Sequence, residues 1–221
     1  MAFFPLKRCI PYKLLLWLYL PAGLLLLAVL WTSLRTGVPL AMFTRDPADI
    51  THTSPFLGVV SNVCILLWCA SAAICLFSFL IFWKKGSKST AVFFLMAGLL
   101  TTLLMLDDLF LLHERIFPQY LHWRQRYIYL GYVSMVFAYL VAFRKVIFKN
   151  NFLLLALALG FFFLSVVVDG IAAKMEDFIP LYHLYEDGFK LFGITGWLGY
   201  FGEKSLHMMF QTTSAGFRDG A

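Results

Sequence analysis

The sequence predicts an all-α integral membrane protein: a bundle of six transmembrane helices with both termini in the cytoplasm. Three observations carry that expectation. The 221 residues are 61% hydrophobic and 14% charged, whereas soluble domains run near 45–50% apolar and about 25% charged. Mean hydropathy is +0.80. The apolar residues also gather into runs of about 20, the length that crosses a ~30 Å hydrocarbon core, and the runs are separated by short clusters of lysine and arginine. The formal charge of +6 therefore reads as membrane flanks, and nucleic acid is not expected as a partner.

The first run, Tyr12–Leu34, follows "MAFFPLKRCIP". It is too long for the h-region of a signal peptide and no A-x-A site follows it, so it reads as a retained span. The long polar connection from Arg35 to Pro55 comes next. The second run, Phe56–Trp83, holds Cys64, Cys69 and Cys75 at spacings unlike CxxC, and these thiols read as small hydrophobes. The third run, Thr90–Leu112, closes in "LMLDDLFLLHERIFP". The fourth is Arg126–Phe148. The fifth, Phe152–Ala173, ends at "VVVDG", and the sixth, Pro180–Phe201, opens with "YHLYEDGFK". Residues 1–210 thus make one transmembrane domain, and residues 211–221 a flexible tail.

Orientation follows from Lys and Arg, which favour cytoplasmic loops. Lys7, Arg8, Lys13, Lys84, Lys85, Lys88, Arg144, Lys145, Lys149, Lys204 and Arg218 fall on one side. The sparser Arg35, Arg45, Arg115, Arg124, Arg126 and Lys174 fall on the other. In the sixth run Gly193, Gly196, Gly199 and Gly202 recur every third residue. Small residues let helices approach closely in lipid, so this run is expected to pack centrally.

With six alternating spans, the third, fifth and sixth bring ionisable groups to one extracytoplasmic depth. Ionisable groups inside a membrane are costly unless they pair, bind a metal or line water, which makes them functional candidates. Asp107 and Glu114 would share one helical face, while Asp108 points about 100° away. His183, Glu186, Asp187 and Lys190 form one stripe at i, i+3, i+4 and i+7.

Carboxylates and imidazoles from separate helices suit a divalent metal such as zinc, iron or manganese. Asp107, His113, Asp169, His183 and Glu186 are the candidate ligands. Asp108 and Asp187 are candidate catalytic carboxylates, with Lys190 as their electrostatic partner. This predicts a metal-dependent membrane enzyme, a hydrolase in the simplest case, acting on a lipid or other apolar substrate. The alternatives are a non-catalytic structural subunit of a larger membrane complex, with membrane-protein partners, or a small proton- or cation-coupled carrier. The Glu-x-x-His pair of di-iron bundles is absent. Glu114 with Arg115, and Glu203 with His207, also fit ordinary surface pairs.

Overall fold

The computed structural model describes residues 12–149, 152–175 and 182–218. Lys7, Arg8 and Cys9 of the N-terminal flank, Pro180 at the start of the sixth run, and residues 219–221 lie outside them. All secondary structure among the described residues is helical. The chain divides into two compact units, one ending at Leu57 and the other starting at Gly58.

The first unit carries α1 (Tyr12–Thr36), α2 (Ala41–Thr44) and α3 (Pro47–Thr51). The leucine-rich α1 ends at Gly37, whose φ of 71° suits a residue without Cβ. Near that end Arg35 lies over the Trp31 ring at 4.5 Å. In α3 the Asp46 carboxylate accepts from the Ala48 N–H at 2.7 Å, with Pro47 in the first turn. That is the arrangement that satisfies a free helix donor and fixes the entry of the chain.

The second unit carries α4 (Val59–Lys84), α5 (Lys88–Phe110), a π-helical turn (Leu112–Ile116), α6 (Phe117–Leu121), α7 (Gln125–Ala142), α8 (Arg144–Ile147), α9 (Leu153–Met175) and α10 (Tyr182–Arg218). α4 and α5 form a hairpin, α9 and α10 form another helix pair, and α10 also packs on α4. Lipid tails are as apolar as leucine, so close packing and hydrogen bonds must hold such helices together. Both are present. A Cβ on Gly193 would come within 2.6 Å of the Phe162 ring, and one on Gly196 would meet Ala158 Cβ at 3.2 Å. Of the four glycines expected at a helix contact, Gly193 and Gly196 thus approach α9 closely, whereas Gly202 has nothing within 4 Å of a Cβ position. On the hairpin, a Cβ on Gly98 would meet Leu76 at 2.7 Å. Buried hydrogen bonds tie α5 to α10, through Trp197 Nε1–H and Thr101 Oγ1 at 3.0 Å, and α4 to α10, through Ser78 and Ser205 at 2.6 Å. Aromatic rings fill the centre. Phe93 contacts Phe94, Tyr139, Phe143 and Phe201, and Trp68 stacks on Phe162 at 5.6 Å.

The chain is a multi-pass integral membrane protein, but the expectation of six spans is corrected to four. Among the described residues, the helices long and apolar enough to cross are Tyr19–Thr36 within α1, Val59–Lys84, Lys88–Phe110 and Leu153–Gly170 within α9. The fourth apolar run fails on composition: its helix is cut at Phe143, and the remaining 18 residues match Tyr19–Thr36 in length but are less apolar. That helix also starts with Gln125 and Arg126 and carries Tyr127, Tyr129, Tyr132 and Tyr139. The sixth fails on charge: α10 is 37 residues long, but Glu186, Asp187, Lys190, Glu203 and Lys204 break it into short apolar segments. Arg115, Arg124, Arg126, Arg144, Lys145 and Lys149 then all fall between the same two crossing helices, so the Lys and Arg tally that placed both termini in the cytoplasm loses its basis.

Candidate functional site

The acidic end of the second unit is organised by a break in the backbone. α5 stops at Phe110, and Leu111 adopts φ 52°, ψ 45°, with its N–H bonded to the Asp107 carbonyl. A left-handed conformation costs a non-glycine residue roughly 1–2 kcal/mol, so something must hold it. The chain then coils as the π turn, in which the Ile116 N–H reaches back to the Leu111 carbonyl. This brings His113 back over the last turn of α5.

Asp107 is the group that holds the turn. Only 4% of this residue is exposed. One carboxylate oxygen accepts from the His113 backbone N–H at 3.0 Å and from the Tyr132 hydroxyl on α7 at 2.7 Å. The other meets His113 Nδ1 in an ion-pair contact. The second ring nitrogen of His113 faces the Tyr129 hydroxyl at 3.1 Å and a Glu114 carboxylate oxygen at 3.5 Å. Burial pulls the His113 pKa down. The hydrogen bond and charge of Asp107, with Glu114 adding to them, outweigh it and hold the imidazole above its ordinary value. Hydrogen bonds to ionised groups are stronger than neutral ones, so the turn, α5 and α7 are fastened at one carboxylate.

Asp108 follows directly and faces elsewhere, since each residue turns the helix by about 100°. It accepts from Trp68 Nε1–H of α4 at 2.9 Å and pairs with Lys190 Nζ of α10 at 2.8 Å. Two adjacent residues thus fasten different neighbours, Asp107 the π turn and α7, Asp108 α4 and α10.

The remaining predicted residues surround these pairs. Asp169 is half-buried near the end of α9 and acts electrostatically on Tyr129 together with Glu114 and Glu186. The Glu186 carbonyl accepts from the Ser165 hydroxyl at 3.0 Å, which joins α9 to α10. Burial holds the Glu186 carboxyl above its ordinary range, and the nearby Asp169 and Asp187 add to that. Asp187 is exposed and acts on Lys190. His183 is exposed as well, with its ring against Tyr182 at 3.8 Å between centroids.

The predicted divalent metal centre of zinc, iron or manganese is corrected on this geometry. Among the described residues no group of three or more His, Cys, Asp or Glu side chains could hold a metal ion. Asp107 and Asp108 face different elements, Asp107 occupies His113 Nδ1, and His183 packs on Tyr182 instead of joining the carboxylates. The metal-dependent enzyme and its hydrolase reading fall with the site. The expected shared face of Asp107 and Glu114 is also lost, because the helix does not continue between them.

Trp68, Tyr129 and Tyr132 complete the networks and were not among the predicted residues. For Trp68 a signal existed: a buried indole N–H requires an acceptor. The two tyrosines resemble an ordinary interfacial belt until the fold places them.

Residues 17–203 match a family described as Domain of unknown function (DUF8692). No curated protein and no solved structure matches the chain. The match covers more than half of the chain, so the protein belongs to that family.

Proposed function

We propose that this member of the DUF8692 family is a non-catalytic subunit of a larger membrane assembly, with its buried acids serving to fix one arrangement of its own helices. The observation that carries the reading is the complete internal engagement of both buried aspartates. Asp107 is held by the His113 and Tyr132 groups, and Asp108 by Trp68 and Lys190. A fully satisfied polar network rigidifies and specifies a packing arrangement. In this reading Asp108 and Lys190 are a structural pair. Asp107 and His113 pin the turn, and Asp169, His183, Glu186 and Asp187 form the polar rim around them. The centre of the bundle supports the same reading, because Trp197, Phe201, Phe93 and Phe94 fill it with fully buried rings. Large apolar side chains such as Leu66, Phe77, Leu80, Leu99 and Phe163 stay exposed on the crossing helices. They supply the faces that meet lipid or membrane-protein partners.

The experiment is mass determination by light scattering after mild solubilisation from native membranes, with cross-linking to identify neighbours. The reading expects a particle much heavier than the 25.3 kDa chain, containing a partner polypeptide in fixed ratio. A monodisperse single chain with no cross-linked neighbour would refute it.

A second reading, a proton-coupled carrier, has one observation in its favour. Asp107, His113 and Glu114 form a short line from a buried carboxylate to an exposed one. The filled aromatic centre weighs against it. Proton flux into vesicles containing the purified chain decides between them. Flux abolished by Asp107→Asn would establish the carrier, and flux equal to empty vesicles favours the subunit.

A further inference from the structure

The end of the second unit away from the Asp107 network carries a buried cation. Lys204 on α10 is only 3% exposed. Its ammonium donates to the Val146 carbonyl at the end of α8, at 2.6 Å, and Nζ lies 6.0 Å from the Tyr200 ring centroid. No carboxylate among the described residues is within ion-pair distance of it. An ammonium has three donors, and a charge taken out of water needs a partner of opposite sign. One carbonyl oxygen supplies neither the charge nor the remaining acceptors.

The surroundings do not close the deficit. Lys149 repels Lys204, and the adjacent Glu203, although attractive, points to solvent. Lys84 and Lys85 end α4, Lys88 begins α5, and Arg144 and Lys145 form α8; all five are exposed. These cations are brought to one end by packing. The Ser78–Ser205 hydrogen bond sets Lys204 beside the last turns of α4. The contact of Phe93 with Phe143 at 5.5 Å sets the α7–α8 break beside the first turns of α5. α9 also starts here, with Leu154 against Gly199, which adds the positive end of its helix dipole.

We propose that this end binds the phosphate of an anionic lipid headgroup, with Lys204 as the buried anchor and the surrounding Lys and Arg side chains as the electrostatic rim. A bilayer lipid is favoured over a soluble phosphate because Lys84, Lys85 and Lys88 stand where α4 ends and α5 begins, and both of these helices are long and apolar enough to cross the membrane. That is the depth of the headgroups, and basic clusters beside membrane helices bind anionic lipids there. The inference stands apart from the subunit reading, since it concerns other residues and does not require a protein partner.

The test uses the full chain in detergent, offered an equal mixture of phosphatidylglycerol and phosphatidylcholine, with retained lipid read by native mass spectrometry. The proposal expects selective retention of phosphatidylglycerol, reduced about fivefold in Lys204→Met and by a similar factor in the exposed Lys149→Gln. If Lys204→Met does not fold, Lys149→Gln carries the comparison. Equal retention of the two lipids, or undiminished phosphatidylglycerol in the folded variants, would overturn the proposal and leave Lys204 as a cap on the Val146 carbonyl. Unfolding temperature separates the sources. Phosphatidylglycerol should raise it and inorganic phosphate at equal concentration should not; an equal rise with inorganic phosphate would overturn the lipid assignment.

Discussion

Replacing Lys190 by methionine removes the ammonium from Asp108 while keeping a long apolar stem against α4. The Asp108 side chain is 8% exposed and that of Lys190 33%, so the carboxylate is the more deeply buried partner. After the substitution it keeps only the Trp68 N–H at 2.9 Å. Breaking a buried ion pair on one side costs about 3–5 kcal/mol, because the other charge stays behind. Lys190 is partly open to solvent, which screens the pair, so a loss of about 2–3 kcal/mol is expected. The assay is reversible unfolding in mixed micelles, run as a cycle with Asp108→Asn and the double variant. Removing both charges leaves no uncompensated ion, so the double variant should recover at least about 1 kcal/mol relative to the sum of the single losses. A Lys190→Met protein within about 0.5 kcal/mol of wild type, or strictly additive losses, would refute the assignment of this pair as a structural fastening.

His113 gives a pH prediction. Its pKa is held above 6.5 in the folded protein, so its stabilisation is complete below the unfolded value and is lost as pH rises through the folded one. The unfolding temperature should therefore fall as pH is raised from 6.5, and the fall should be smaller in His113→Gln; equal slopes would contradict the ion pair. The glycines of α10 should divide by position. Gly193→Ala drives a Cβ into the Phe162 ring, which is stacked on Trp68, and should cost about 1–3 kcal/mol. Gly202→Ala meets nothing within 4 Å and should stabilise the helix by about 0.5–1 kcal/mol. The same micelle unfolding assay reads both.

Three crossing helices of the second unit were legible from apolar runs to within a few residues. Phe56–Trp83 became Val59–Lys84, Thr90–Leu112 became Lys88–Phe110, and Phe152–Ala173 became Leu153–Met175. The runs at Arg126–Phe148 and Pro180–Phe201 do contain helices, α7 and α10. Their apolar character comes from packing inside the bundle, as Tyr139, Ile194, Trp197 and Phe201 show, and periodicity alone does not separate a packed helix from a crossing one. The acids were visible as anomalies in an apolar chain, but their partners were not. Trp68 lies forty positions from Asp108 and Tyr132 twenty-five from Asp107. The decisive local event, the left-handed Leu111, falls in "LFLLHER", which holds neither the glycine nor the proline that usually marks a helix end. Without that break, Asp107 and Glu114 appear two turns apart on one face and the metal site looks plausible.

The buried carboxylates hold the helices and the π turn in place. Hydrogen–deuterium exchange across residues 111–117 in wild type and Asp107→Leu tests it most directly. Leucine keeps the bulk and removes every acceptor. Slow exchange of the His113 amide is expected in wild type, where it is bonded to Asp107 at 3.0 Å, and much faster exchange throughout the turn in the variant. Equal protection of the turn in both proteins would show that Asp107 does not hold it.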